Sequence, residues 1–116
     1  MKKKKNFYIV KPDSLSQGQG IYLSRNCEKI IKNCTEEGGF VVQEYLDKPH
    51  LVDDLKYDLR IYALLYGINP MRIYIHEKGI ARFATETYTV PKPSNIDNMI
   101  IHLTNYAINK YNSTFK

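Results

Sequence analysis

Apolar positions in this chain fall in short runs separated by turn residues, the spacing of strands rather than of long helices. Phe7-Tyr8-Ile9-Val10 is aromatic and β-branched and stops at Lys11-Pro12, which predicts a buried strand ended by the proline. Ser14 to Gly20 is polar, with Gly18 and Gly20 flanking Gln19, and reads as a loop. Ile21-Tyr22-Leu23 resumes strand character, so the glycine loop becomes the tip of a hairpin. Asn26 is the predicted N-cap of a short helix from Cys27 to Asn33, and Glu36-Glu37-Gly38-Gly39 is a turn. Phe40 to Leu46 predicts the next strand, closed by Asp47-Lys48-Pro49. Between Lys56 and Tyr66, the residues Asp58, Arg60 and Tyr62 alternate with Leu59, Ile61 and Ala63, which favours one strand with a polar face. Asn69-Pro70 is a turn. Arg72 to His76 alternates and passes through Glu77-Lys78-Gly79 into Ile80 to Phe83, predicting a hairpin between those two runs. Thr87 to Asn98 carries Pro91 and Pro93 and reads as a loop; Met99 to Leu103 is a short apolar run interrupted by Thr104-Asn105; Asn109 to Lys116 is polar. The sum is a strand-rich, mostly antiparallel α+β chain with short helices, without repeat or internal domain boundary.

The length of 116 residues matches one domain, and 43% apolar with 25% charged residues excludes collagen-like, mucin-like and disordered classes. No run of about 18 apolar residues exists to form a transmembrane helix, and Met1 to Lys5 lacks the apolar stretch of a secretory signal. Two cysteines are too few for a disulfide scaffold, which points to a reducing, cytoplasmic compartment. Of the net charge of +5, Lys2 to Lys5 carry four, so the body is nearly neutral. That basic arm reads first as a solvated tail, with an acidic protein surface or nucleic acid as the rival readings.

Three places hold polar residues that a plain strand does not need. Lys11 precedes the Gln17-Gly18-Gln19-Gly20 loop, and glycines allow backbone N–H groups to approach a phosphate that a lysine neutralises. No Gly-Lys-Ser/Thr follows, so this is not a Walker A loop, and on spacing alone a hairpin turn is the better reading. Gln43-Glu44-Tyr45-Leu46 ends a strand and can offer backbone groups to a purine edge, with Tyr45 or Leu46 covering its face; a strand running into solvent fits equally well. Lys56-x-Asp58-x-Arg60 sets three charges on one strand face, either solvated or lining a cleft for a phosphorylated ligand. Cys27 and Cys34 read as core or near-core thiols. His50, His76 and His102 have no companion at metal-ligand spacing, which disfavours zinc. Serine-hydrolase and zincin motifs are absent.

In order, Ile9-Val10-Lys11-Pro12-Asp13, Gln17-Gly18-Gln19-Gly20-Ile21, Val42-Gln43-Glu44-Tyr45-Leu46, Lys56-Tyr57-Asp58-Leu59-Arg60-Ile61-Tyr62, Arg82-Phe83-Ala84-Thr85-Glu86 and His102-Leu103-Thr104-Asn105-Tyr106 resemble the tubulin tyrosine ligase-like family, from Phe7 to Asn112. The Lys-Pro-Asp and Gln-Gly-x-Gly pattern is most similar to the polyglutamylase branch. The resemblance implies an ATP-grasp-like fold, of which this chain is the central portion, with a basic tail at 1–6 and a partial family domain at 7–116. It implies a ligase that uses ATP and Mg2+ to activate a carboxylate as an acyl phosphate, attacked by the amine of free L-glutamate. The acceptors are glutamate side chains in the acidic C-terminal tails of tubulin. It implies ATP contacts at Lys11, Gln19, Gly20, Gln43, Glu44, Tyr45, Leu46, Lys56, Asp58, Thr104 and Asn105. Arg82 and Tyr106 would hold the incoming glutamate, Gln17 would face the acceptor tail, and Arg60 and Arg82 would carry catalytic charge. Partners are then tubulin or microtubules rather than nucleic acid or membrane, and the location is the cytoskeleton, with cilium, flagellum or basal body as special cases.

Gln19 stands where the branch usually has arginine, and Ala107 where serine is common. The family's magnesium ligands, an aspartate and a later Glu-x-Asn, fall downstream of Lys116, so no metal ligand is expected here and the 116 residues alone are expected to be inactive. The alternative is a catalytically dead tubulin- or nucleotide-binding fragment.

Overall fold

The computed structural model describes residues 6–36 and 38–115. Lys2 to Lys5 and Glu37 of the expected turn lie outside the described residues. β1 (Tyr8–Pro12) is the centre of a three-stranded antiparallel sheet, with β2 (Tyr22–Ser24) on one side and β3 (Phe40–Glu44) on the other. The hairpin expected across the glycine loop forms, with Ile9 opposite Leu23. The first strand runs further than expected, through Lys11 to Pro12 opposite Phe40. Proline is tolerated there because only the end of the ladder loses a donor, and pairing resumes at once with Asp13 N–H donating to Gly39 O at 3.1 Å.

α1 (Cys27–Glu36) is three residues longer than the sequence suggested. Asn26 caps it as expected, its Oδ1 accepting the Lys29 N–H at 3.0 Å. The two faces of the first sheet have different neighbours. Tyr8, Phe40 and Val42 share an apolar groove with Cys27, Ile30 and Cys34 of α1. On the other face Ile9 and Leu23 join Phe7, Tyr45 and Leu103 in the buried core.

The second sheet has the order β4 (Leu51–Val52), β5 (Leu55–Arg60), β8 (Ile80–Thr87). Asp53 and Asp54 turn β4 into β5 with φ of 51° and 59°, the primed-turn geometry that matches strand twist. The segment from Lys56 to Tyr66 is not one strand. It breaks at Ile61-Tyr62, and β6 (Ala63–Ile68) belongs to a separate ribbon with β7 (Met71–Ile75). The expected hairpin between Arg72–His76 and Ile80–Phe83 is corrected in the same way: β7 pairs with β6, and β8 pairs with β5. Asn69-Pro70 reverses the chain, so β7 runs back along β6 and β8 continues back along β5. His76 N–H donates to Tyr62 O at 2.9 Å and Arg60 faces Ile80. Between those two pairs Ile61 stands against Glu77, Lys78 and Gly79, which leaves two surplus residues on the returning strand where the ladder is interrupted.

α2 (Met99–His102) and α3 (Tyr106–Asn109) are single turns that seat Leu103 in the core. Among the described residues strands predominate and their pairing is antiparallel, as the α+β reading expected. Among the same residues no helix is long and apolar enough to cross a membrane.

Candidate functional site

The core-side face of the first sheet carries Lys11 beside Gln43, whose Oε1 accepts from Lys11 Nζ at 2.9 Å. The loop at the hairpin tip has Gln17, Gly18 and Gly20 all at positive φ. A Cβ on Gly18 would come within 2.6 Å of Ile108 Cδ1 and 3.1 Å of Asn105 Cγ, so only glycine lets the loop lie against Asn105. Two segments far apart in sequence thereby meet.

Beyond Gln43 the predicted hinge divides by side chain. Glu44 turns away, accepting from Asn6 Nδ2 at 2.7 Å. Tyr45 N–H is already donated to Phe7 O at 2.8 Å, and its ring lies in the core. Leu46, 78% exposed, is the hinge side chain that remains open to a ligand.

Tyr45 anchors a buried polar chain that sequence reasoning missed. Its hydroxyl lies 3.1 Å from His102 Nδ1, and His102 Nε2 lies 3.2 Å from Asn95 O. A carbonyl can only accept, so the network assigns the proton to Nε2 and leaves Nδ1 to accept from the Tyr45 O–H. Lys56 Nζ donates to Tyr45 Oη at 3.1 Å and to His102 O at 2.8 Å. Burial, then the nearby Lys11 charge, push the Lys56 ammonium down to about 8, against a smaller opposing pull from Asp58. Burial also lowers His102, and burial followed by its neighbours Tyr88 and Asp47 raises the Tyr45 phenol. The charges of Lys11 and Lys56 thus work against each other, a conflict that a bound anion would relieve.

On the same strand, Asp58 stands opposite Arg82 of β8. Arg82 Nε donates to Asp58 Oδ1 at 2.9 Å, and Nη2 donates to Oδ2, a bidentate pair. That guanidinium first, with the Thr104 hydroxyl and the Arg60 charge behind it, holds the Asp58 carboxyl below its usual range against the effect of burial. Arg60 itself is exposed at the far end of β5, opposite Ile80. Arg82, Thr104 and Tyr106 line a cleft of about 610 Å³, with Phe115 edge-on to the Tyr106 ring at 5.6 Å. Asn105 caps α3, its carbonyl accepting from Ile108 and Asn109 at 3.1 Å each.

Asp58, Arg82 and Thr104 therefore meet at β5 beside Lys56; Lys11 and Gln43 join on the first sheet, and Asn105 lies against Gly18 of the loop. The side chains of Glu44 and Arg60 stand apart, and Gln17 and Gln19 belong to the covering loop. The triphosphate of a nucleotide fits the donor set, which offers two lysines and a glycine loop. Among the described residues there is no group of three or more His, Cys, Asp or Glu side chains that could hold a metal ion by themselves.

The model of the tubulin-tyrosine ligase family matches residues 1–116. A probable beta-tubulin polyglutamylase of Tetrahymena thermophila is 49% identical over 109 residues, 94% of this chain and 9% of that protein. Tubulin polyglutamylase TTLL13 of Homo sapiens is 45% identical over 97% of this chain and 13% of its own length. Tubulin polyglutamylase TTLL11 of Mus musculus is 45% identical over 93% of this chain and 15% of its own length. The chain spans less than a sixth of each of these relatives. With a whole-chain match to the family and the same ordered blocks converging on one site, the chain belongs to the tubulin-tyrosine ligase family.

Proposed function

We propose that this chain is the nucleotide- and amino acid-binding part of an ATP-grasp-like ligase that adds glutamate to glutamate side chains of tubulin C-terminal tails. The observation that carries the reading is the sharing of one strand, β5, by two kinds of group. Lys56 feels the charge of Lys11, and Asp58 joins Arg82 beside the Thr104–Tyr106 cleft. The names of the relatives supply the substrate.

In this proposal Lys11 and Lys56 bind the phosphates of ATP, Asp58 also contacts the nucleotide, the 17–20 loop covers the phosphates, and the hinge from Gln43 to Leu46 seats the base. The γ-phosphoryl group passes to the acceptor carboxylate, giving an acyl phosphate and ADP. The amine of free glutamate then attacks the acyl carbon, forming the amide and releasing phosphate. Arg82, oriented by Asp58, binds the carboxylate of that glutamate while Tyr106 forms the wall of its cleft. Each participant is anionic, which accounts for cations gathered at one place. The site of action is the cytoskeleton.

The test is incorporation of labelled glutamate into microtubules by the full-length protein with ATP and Mg2+. ATP-dependent labelling, lost when the acidic tails are removed from the microtubules, supports the ligase. Microtubule or nucleotide binding without turnover supports a binding protein in its place.

A further inference from the structure

We infer that Asn109 is a positioning residue for the incoming amino acid, setting the distance between the Arg82 wall and the Thr104–Tyr106 wall of the cleft. The inference rests on the reading that this cleft takes glutamate. Asn109 is 1% exposed, and its side-chain amide makes hydrogen bonds at both ends. Oδ1 accepts from Thr85 N–H at 3.0 Å and from Thr85 Oγ1 at 2.9 Å. Nδ2 donates to Leu103 O at 2.8 Å and to Asn105 O at 3.0 Å. Only a carboxamide supplies two acceptor sites and two donors in one plane.

The strand geometry explains the need. Leu55 pairs with Thr87 and Tyr57 with Phe83, so Lys56 alone faces Ala84, Thr85 and Glu86. At this bulge the Thr85 backbone has no ladder partner on β5, and side chains take over both of its groups. Asn109 accepts from its N–H, and Thr114 Oγ1 donates to its carbonyl at 2.8 Å. The other end of the Asn109 amide grips the carbonyls on either side of Thr104. One side chain therefore ties β8, three residues beyond Arg82, to the segment bearing Thr104 and Tyr106. It lines the cleft that they share. Losing the tie lets the two walls shift relative to each other, while Lys11 and Lys56 keep their own partners. Thr104 and Asn105 are also expected ATP contacts, but the phosphate lysines and the hinge keep their partners, so the larger effect falls on glutamate.

The experiment uses the full-length protein and compares Asn109→Asp, Thr85→Val, Thr85→Ser and the combination of Asn109→Asp with Thr85→Val. The KM for glutamate and for ATP is measured separately in microtubule labelling, with Tm as a control. The expected result for Asn109→Asp is a rise in glutamate KM of about tenfold, the scale of an unmade buried hydrogen bond, with ATP KM changed less than about twofold. Thr85→Val raises glutamate KM less, Thr85→Ser restores it, and the double variant costs no more than Asn109→Asp alone. Because Asn109→Asp sets a carboxylate against two carbonyls, it can lose its fold; the Thr85 pair then decides by itself. Parallel changes in both KM values, additive effects, or no difference between Thr85→Val and Thr85→Ser overturn the inference. A wild-type protein that incorporates no glutamate overturns the functional reading and this inference with it, whereas the other outcomes overturn the inference alone.

Discussion

Asp58 and Arg82 face each other across β5 and β8 and join through two nitrogens of one guanidinium edge, so the acid proposed for the nucleotide holds the cation proposed for the amino acid. The pair is about a third exposed, which limits its worth to folding. Arg82→Lys keeps the charge and loses the fork. Stability in urea is expected to fall by less than about 1 kcal/mol. Glutamate KM is expected to rise about tenfold to a hundredfold. An unchanged KM would count against a substrate role for Arg82.

If Lys56 binds ATP as proposed, its depressed ammonium gives the affinity a pH dependence of definite sign. A phosphate favours the charged form, and the free folded protein loses that charge as pH rises through about 8. Affinity is therefore expected to be full at pH 7 and to decline above pH 8, with proton uptake on binding near pH 8. Calorimetry in two buffers of different ionisation enthalpy measures that uptake. Lys56→Arg, which stays charged, is expected to flatten the profile. A flat wild-type profile from pH 7 to 9.5 would remove Lys56 from the phosphate site.

His102 sets an acid limit on stability. Its folded value lies below 6.5, so under pH 6.5 the unfolded chain takes up a proton that the buried imidazole refuses, and stability falls until the folded value is passed. Asp58 acts in a separate window: its lowered carboxyl stabilises the fold above 3.8, and that contribution is lost only as pH drops through the folded value. Denaturation at pH 7.5 and 5.5 is expected to show the His102 loss first. Tyr45→Phe removes the acceptor for Lys56 and the donor to His102 and is expected to cost about 1–3 kcal/mol. A fully tolerated Tyr45→Phe would mean that the polar chain adds nothing to folding.

The β6–β7 ribbon packs chiefly on itself, with Leu65, Tyr66, Ile73 and Ile75 exposed. Local opening is easiest where few buried contacts hold a segment. In the 116-residue chain the amides of β6 and β7 are expected to exchange with deuterium faster than those of Ile9 and Val10. Equal protection in both regions would contradict this.

The elements legible in the sequence were those fixed locally. Asn26 announces its helix, and the Gly18–Gly20 loop announces its hairpin, because caps and turns depend on neighbours in the chain. The split between β5 and β6 was not legible, since alternation continues through Ile61 and Tyr62 and only pairing across the ribbon exposes the surplus at 77–79. The Asp53-Asp54 turn was hidden by the lack of glycine. In the site, ordered motifs named Lys11, Lys56, Asp58, Arg82 and Thr104. Tyr45 and His102 lie 57 positions apart, and no periodicity links them. Asn109 had one faint signal, its place four residues after Asn105 in a short helix.

The most direct measurement of the nucleotide site is thermal unfolding of the full-length protein with and without ATP, for wild type, Lys11→Ala and Asp58→Ala. ATP is expected to raise the wild-type Tm by mass action and to leave both variants unmoved, while their unliganded Tm stays near that of wild type. Equal ATP protection in the variants, or variants that unfold without ligand, would contradict the assignment of these residues to ATP.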